Sequence, residues 1–194
     1  MTAQRTDKFL FREEQYDVIR VGRDRSVPVI HRMYSYDVFP PKEFGLTPKQ
    51  ISTACWRGYY ATYSAENDKL QLVNLTVNDE SGSYPDINGV HAVITSSRPE
   101  RFYSNIGVDL AFSGQLRLAK DFIKEMYIHM GYQTAHCFHI VYDLTFEKGV
   151  LVGVLDRSQE VENFRNNHSQ SDMSELDTSE KRIVKAFSQG MDLD

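Results

Sequence analysis

The sequence predicts a mixed α+β fold: a single domain dominated by antiparallel β-sheet, built as a sandwich or an open, barrel-like sheet, with few short helices and one C-terminal helix. Three observations carry this. Short stretches rich in β-branched and aromatic residues recur along most of the 194 residues, each bounded by Gly, Asp, Asn or Pro. Several are joined by polar turns short enough for hairpins. Helical periodicity is confined to brief stretches, so strands do not alternate with helices as a parallel sheet requires. The chain divides into a β-rich globular domain over 1–157 and, over 158–194, an acidic polar linker followed by a helix.

In chain order, Tyr16 to Gly22 and Ile30 to Val38 have strand character. Thr47-Pro48-Lys49-Gln50 has the form of a helix start, with Thr47 as N-cap, Pro48 at the first helical position and Gln50 reaching back. This helix must be short, because strand signals resume at Gly58. Tyr59 to Ser64 and Leu70 to Val77, separated by the polar residues 65–69, form a hairpin signature. Strict alternation puts Leu70 and Leu72 on one face of the second strand and Val73, Leu75 and Val77 on the other, which suits a strand buried on both sides. Residues 78–89 are turn chemistry throughout, His91 to Thr95 return as a short strand, and Ser96 to Asn105 are irregular.

Gly114 to Leu118 is a strand. Beyond it Leu118, Phe122, Met126 and Met130 step by four and Gly131 can end a helix, which predicts a helix over 119–130. Cys137 to Glu147 alternates most clearly of all, Lys148-Gly149 turns it, and Val150 to Leu155 is its partner. From Arg157 the composition turns polar and acidic, as in a linker. A last helix over 177–189 follows, with Asp177 as N-cap and Ile183, Val184 and Phe187 on one side.

Composition narrows the function. Hydrophobic residues make up 41% and charged residues 25%, as in soluble globular proteins. No apolar run approaches the ~20 residues of a membrane span, and the N-terminal stretch is interrupted by charges. Cys55 and Cys137 each sit inside an apolar or aromatic run and suit buried free thiols. A cytoplasmic protein is expected. With a net charge of −5, and with Arg20, Arg23 and Arg25 interleaved with Asp17 and Asp24, the chain lacks the basic stripe of a nucleic-acid binder.

No phosphate-binding glycine motif, no HExxH, no CxxC and no GxSxG is present. His129, His136 and His139 cluster with Cys137, but strand alternation leaves only Cys137 and His139 on one face, too few for zinc. No metal and no cofactor is expected. Cys55 with a distant His129 and an Asp is a conceivable triad that nothing in the spacing favours.

Chemistry concentrates instead in STACWRGYYATY, residues 52–63, which holds the only tryptophan. Trp56 and Tyr59 offer rigid contact area, Arg57 a planar five-donor fork, and Gly58 a sharp turn. Either this stretch anchors a core where a helix meets a strand, or it forms a recognition surface. Arg117, between Leu116 and Leu118, and the His129–Tyr132 stretch are the remaining polar candidates.

WRGY, the strand Lys69-Leu70-Gln71-Leu72, then GQLRL, IHMGY and a closing hairpin resemble, over about residues 50–155, a family of small uncharacterised bacterial proteins with WRGY-type and HMGY-type motifs in this order. The resemblance implies a stand-alone β-rich domain and assigns no activity and no catalytic residue. The residues themselves suggest, first, a non-enzymatic binding or regulatory protein that recognises a protein partner, in immunity- or antitoxin-like form because acidity steers toward basic partners. The alternative is a small-molecule site, or a metal-independent enzyme, in which Arg57, Arg117 and His129 converge on an anionic ligand while Trp56 or Tyr59 stacks on a ring. A third possibility hides the aromatics at a symmetric interface of a homo-oligomer. A pocket would favour the ligand site, an exposed aromatic patch the binding protein.

Overall fold

A computed structural model describes residues 2–22, 38–95, 98–129 and 131–167. Among them nine strands form one mixed sheet: β1 (Asp7–Phe11), β2 (Glu14–Gly22), β3 (Tyr59–Glu66), β4 (Lys69–Val77), β5 (Arg101–Tyr103), β6 (Val108–Asp109), β7 (Gly114–Phe122), β8 (Phe138–Glu147) and β9 (Val150–Asp156). One helix, α1 (Ser158–Asn167), follows. The order β3-β1-β2-β7-β8-β9-β4 returns to β3 through the β3–β4 hairpin, so the barrel-like arrangement is the one found, and its ends meet. All pairings are antiparallel except β1 with β3. The seam between β9 and β4 is short. It rests on the Lys69–Val150 pair, with Leu70 N–H donating to the Gly149 carbonyl at 2.8 Å and Leu151 N–H to that of Asp68 at 2.7 Å.

Phe9, Tyr63, Leu72, Leu75, Leu116, Leu118, Leu144 and Phe146 fill the ring and are buried. A β-bulge shapes this core. The β3–β4 register slips so that Thr62 faces Asn74 while Tyr63 faces Leu72, leaving Val73 as the extra residue. The slip restores phase, and Leu70, Leu72, Leu75 and Val77 are all 0% exposed in the one core, rather than divided between two faces as alternation predicts. The tight turns obey hairpin chemistry. Arg12-Glu13, Asn67-Asp68 and Lys148-Gly149 all have positive φ, as two-residue turns matched to strand twist require.

Several expectations are corrected. No helix starts at Thr47. The Asp79 carboxylate accepts Thr47 N–H, Lys49 N–H donates to the Asn78 carbonyl and Glu80 N–H to that of Thr47, so the segment lies extended beside 78–80 and its backbone is already paired. A 3₁₀ turn over Pro41–Phe44 precedes it. The helix over 119–130 is replaced by the continuation of β7 to Phe122 and a single 3₁₀ turn at Lys124–Met126. β7 lies between β2 and β8, and residues 116–119 are buried on both faces, so ladder pairing overrides the four-residue spacing. His91 to Thr95 contribute only a Val93–Phe102 bridge, and β5 falls within the stretch read as irregular. α1 occupies the start of the stretch read as linker. Ser158 N–H bonds the Asp156 carboxylate, Val161 is buried, and Arg165 donates to the carbonyls of His136 and Phe138 at 3.3 and 2.7 Å, which docks the helix on β8. The Ile30–Val38 strand, save Val38, and the 177–189 helix lie outside the described residues.

Candidate recognition surface

The stretch 52–58 is a knot of turns leading into β3. Cys55 N–H donates to the Ser52 carbonyl and Ile51 N–H to that of Cys55, at 3.0 and 3.1 Å. Gly58 has φ +81°, and a Cβ there would lie 2.4 Å from the Lys49 carbonyl oxygen, so only glycine fits. The N-terminal residues strap this knot down. Arg5 N–H donates to the Ala54 carbonyl at 2.7 Å and Gln4 Nε2 to that of Thr53 at 2.9 Å. Gln4 N–H reaches the Gly131 carbonyl at 2.7 Å, and the Arg5 guanidinium lies 3.4 Å from the centre of the Tyr60 ring.

These contacts sort the aromatic cluster by side. Cys55, Tyr59, Ala61 and Tyr63 point inward and are buried. Trp56 points outward, 61% exposed, and its Nε1–H donates to the Thr53 carbonyl at 2.7 Å. Core anchoring therefore belongs to Tyr59, packed 5.6 Å from Phe39, and not to Trp56.

Arg57 turns the other way. Its Nη2 pairs with the Asp7 carboxylate, its Nε donates to the Tyr59 carbonyl at 2.9 Å, and its guanidinium lies 4.5 Å from the Tyr59 ring centre. Asp7, buried, also accepts Ala61 N–H at 2.7 Å and so ties β1, β3 and the knot together. Burial pulls the Arg57 pKa down, but Asp7, with smaller contributions from Tyr59, Tyr132 and Tyr63, raises it well above the ordinary range. Burial pushes the Cys55 thiol up, and its Sγ donates to the Tyr59 carbonyl at 3.3 Å, the setting of a buried structural thiol.

Trp56, Arg57, Tyr59 and the half-buried Tyr132 thus gather around the N-terminal strap. Arg117 and His129 do not join them. Asp7 faces Val18, and Val18 faces Leu118, both in the barrel core; Arg117, one residue along, points to the outer face. There it makes a bidentate pair with Asp143 at 2.7 and 2.8 Å, and Arg157 Nε adds a third bond to Asp143 at 3.1 Å. His129 is exposed, its ring edge-on to Tyr127 at 5.1 Å. The convergence of Arg57, Arg117 and His129 on one ligand is not formed.

Sequence reasoning missed Asp7 and the Gln4–Arg5 strap, which become visible only when β1 docks beside β3. The Arg117–Asp143 pair had a signal: each is a charge placed mid-strand in an otherwise apolar run, a position that demands a partner. Among the described residues no group of three His, Cys, Asp or Glu side chains is placed to hold a metal, and no helix is long and apolar enough to cross a membrane. No family model matches the chain, and neither does any curated protein or solved structure.

Proposed function

We propose that the chain is a non-enzymatic binding protein, of bacterial and cytoplasmic type, that recognises a protein partner through the surface centred on Trp56. One observation carries this reading: the only tryptophan is 61% exposed yet held in place by its own Nε1–H bond and a glycine-dependent turn. Leaving a large apolar ring in water forgoes burial worth about 2 kcal/mol or more. Tryptophan is among the side chains enriched at interface hot spots, and one already held in place loses less freedom on binding. The Arg5–Tyr60 stack and the Thr2 and Gln4 side chains provide a polar rim beside it. The net charge of −5 favours a basic partner through electrostatic steering, which suits an immunity- or antitoxin-like role.

Native mass spectrometry of the untagged protein, purified gently from its own host, tests this. A protein-sized adduct is expected, lost in Trp56→Ala, where affinity falls on the order of thirtyfold for a removed ~2 kcal/mol hot spot. Trp56 is exposed, so the variant keeps its fold. A bare monomer, or an adduct of small-molecule size lost in Arg57→Ala, would overturn the reading.

A further inference from the structure

We propose that Asn78 and Glu100 hold a hard cation between the ends of β4 and β5. This is independent of the Trp56 surface. Val77 and Arg101 are the last pair of the β4–β5 ladder, so Asn78 and Glu100 stand opposite each other one step beyond it. Asn78 N–H donates to the Gly58 carbonyl at 2.9 Å, and the Asn78 carbonyl accepts Lys49 N–H at 2.8 Å. Both backbone groups of Asn78 thus face away from Glu100. Opposed residues of this non-hydrogen-bonded kind bring their side chains closest, with Cα atoms about 4.5 Å apart. The following step is clamped as well: the Tyr84 hydroxyl accepts Asp79 N–H at 3.2 Å and donates to the Pro99 carbonyl at 2.9 Å, bridging the two chains.

Two buried acceptors meet there without a donor. Asn78 is 3% exposed and Glu100 7%. Asn78 Nδ2 donates to the Gln50 carbonyl at 3.0 Å, which turns Oδ1 away from that segment, to the side where Glu100 stands. Flipping the amide would set oxygen against oxygen at Gln50, so Asn78 cannot serve Glu100 as a donor. Among the described residues no donor reaches Asn78 Oδ1 or Glu100 Oε2, and no cationic side chain pairs with Glu100. The neighbouring Arg101 is committed elsewhere, its Nη1 donating to the carbonyls of Arg98, Pro99 and Glu100 at 3.5, 2.9 and 3.2 Å. A buried carboxylate with neither donor nor counter-ion is costly. A water would give each acceptor a hydrogen but leave the charge without a counter-ion; a cation answers both. One carboxylate and one amide oxygen suit a hard ion rather than zinc, and a single carboxylate points to weak binding, on the order of millimolar.

Thermal melting followed by circular dichroism tests the site, in protein dialysed into a buffer whose only cation is tetramethylammonium. Potassium, magnesium and calcium chlorides are then added separately at matched ionic strength, which distinguishes the ions. At about ten times its Kd, the ion that fits should raise the melting temperature by about 4 °C. Glu100→Gln is isosteric and supplies an amide donor to Asn78 Oδ1. It should melt above the wild-type protein in the starting buffer and lose the response to the ion. Glu125→Gln, at an exposed carboxylate in the 3₁₀ turn Lys124–Met126, should keep that response. No response to any of the three salts, the result expected of a buried water only, would overturn the proposal. So would a response kept in Glu100→Gln or lost in Glu125→Gln.

Discussion

Asp7 is the residue on which the strapped end of the molecule turns, since one buried carboxylate serves both the Arg57 guanidinium and the Ala61 N–H. Removing it strands a half-buried cation and a backbone donor. Asp7→Ala is expected to lower stability by about 3 kcal/mol, seen as a reduced urea midpoint at unchanged slope. Two tyrosines give the molecule an alkaline limit. Burial, then the hydrogen bond to Glu14, pushes the Tyr16 phenol up to about 12, and burial, then Asp86, does the same for Tyr103, against an ordinary value of 10.0. Both groups keep their proton longer in the folded than in the unfolded chain. Their contribution is therefore whole below pH 10 and declines as the pH rises from 10 to about 12, where the folded phenols also ionise. Denaturation midpoints measured across that range should fall, and Tyr16→Phe should flatten the fall.

At the scale of elements, the long paired strands were legible, whereas the helices read at Thr47 and over 119–130 are not formed. The 59–77 hairpin, the 138–156 hairpin and the core of β2 could be recognised because alternation, β-branched residues and turn residues agree there. The two helices read near Thr47 and over 119–130 failed because local caps and four-residue spacing are weaker than a completed hydrogen-bond ladder: β7 is paired on both sides, and 47–49 pair with 78–80. β1 was missed because five residues ending in a two-residue turn carry little pattern of their own. The site divided the same way. Arg57 and Tyr59 were visible by residue type, but the inward or outward sense of Trp56 depends on the φ of Gly58, which composition does not reveal. The Asn67-Asp68 turn offers a direct check on hairpin chemistry. Asp68 sits at φ 61°, where glycine is at ease, so Asp68→Gly should stabilise the protein by about 0.5 kcal/mol, measurable as a raised melting temperature.

For the whole molecule, closure of the ring sets what can face outward. The core side chains occupy the barrel, and the Arg117–Asp143–Arg157 cluster pins β7, β8 and the start of α1 together from outside. Among the described residues, the apolar groups left over lie chiefly at Trp56, on β9, and near Val93, Ile94 and the Phe122–Tyr127 pair. A binding protein is expected to keep such groups exposed, and Trp56 reports on itself, being the only indole in the chain. The most direct measurement is its fluorescence, recorded with and without a soluble quencher. An exposed Trp56 predicts emission at the wavelength of indole in water and ready quenching, with a blue shift and protection once the partner is bound. Blue-shifted, quencher-resistant emission from the free protein would place the ring in the core and contradict the recognition surface.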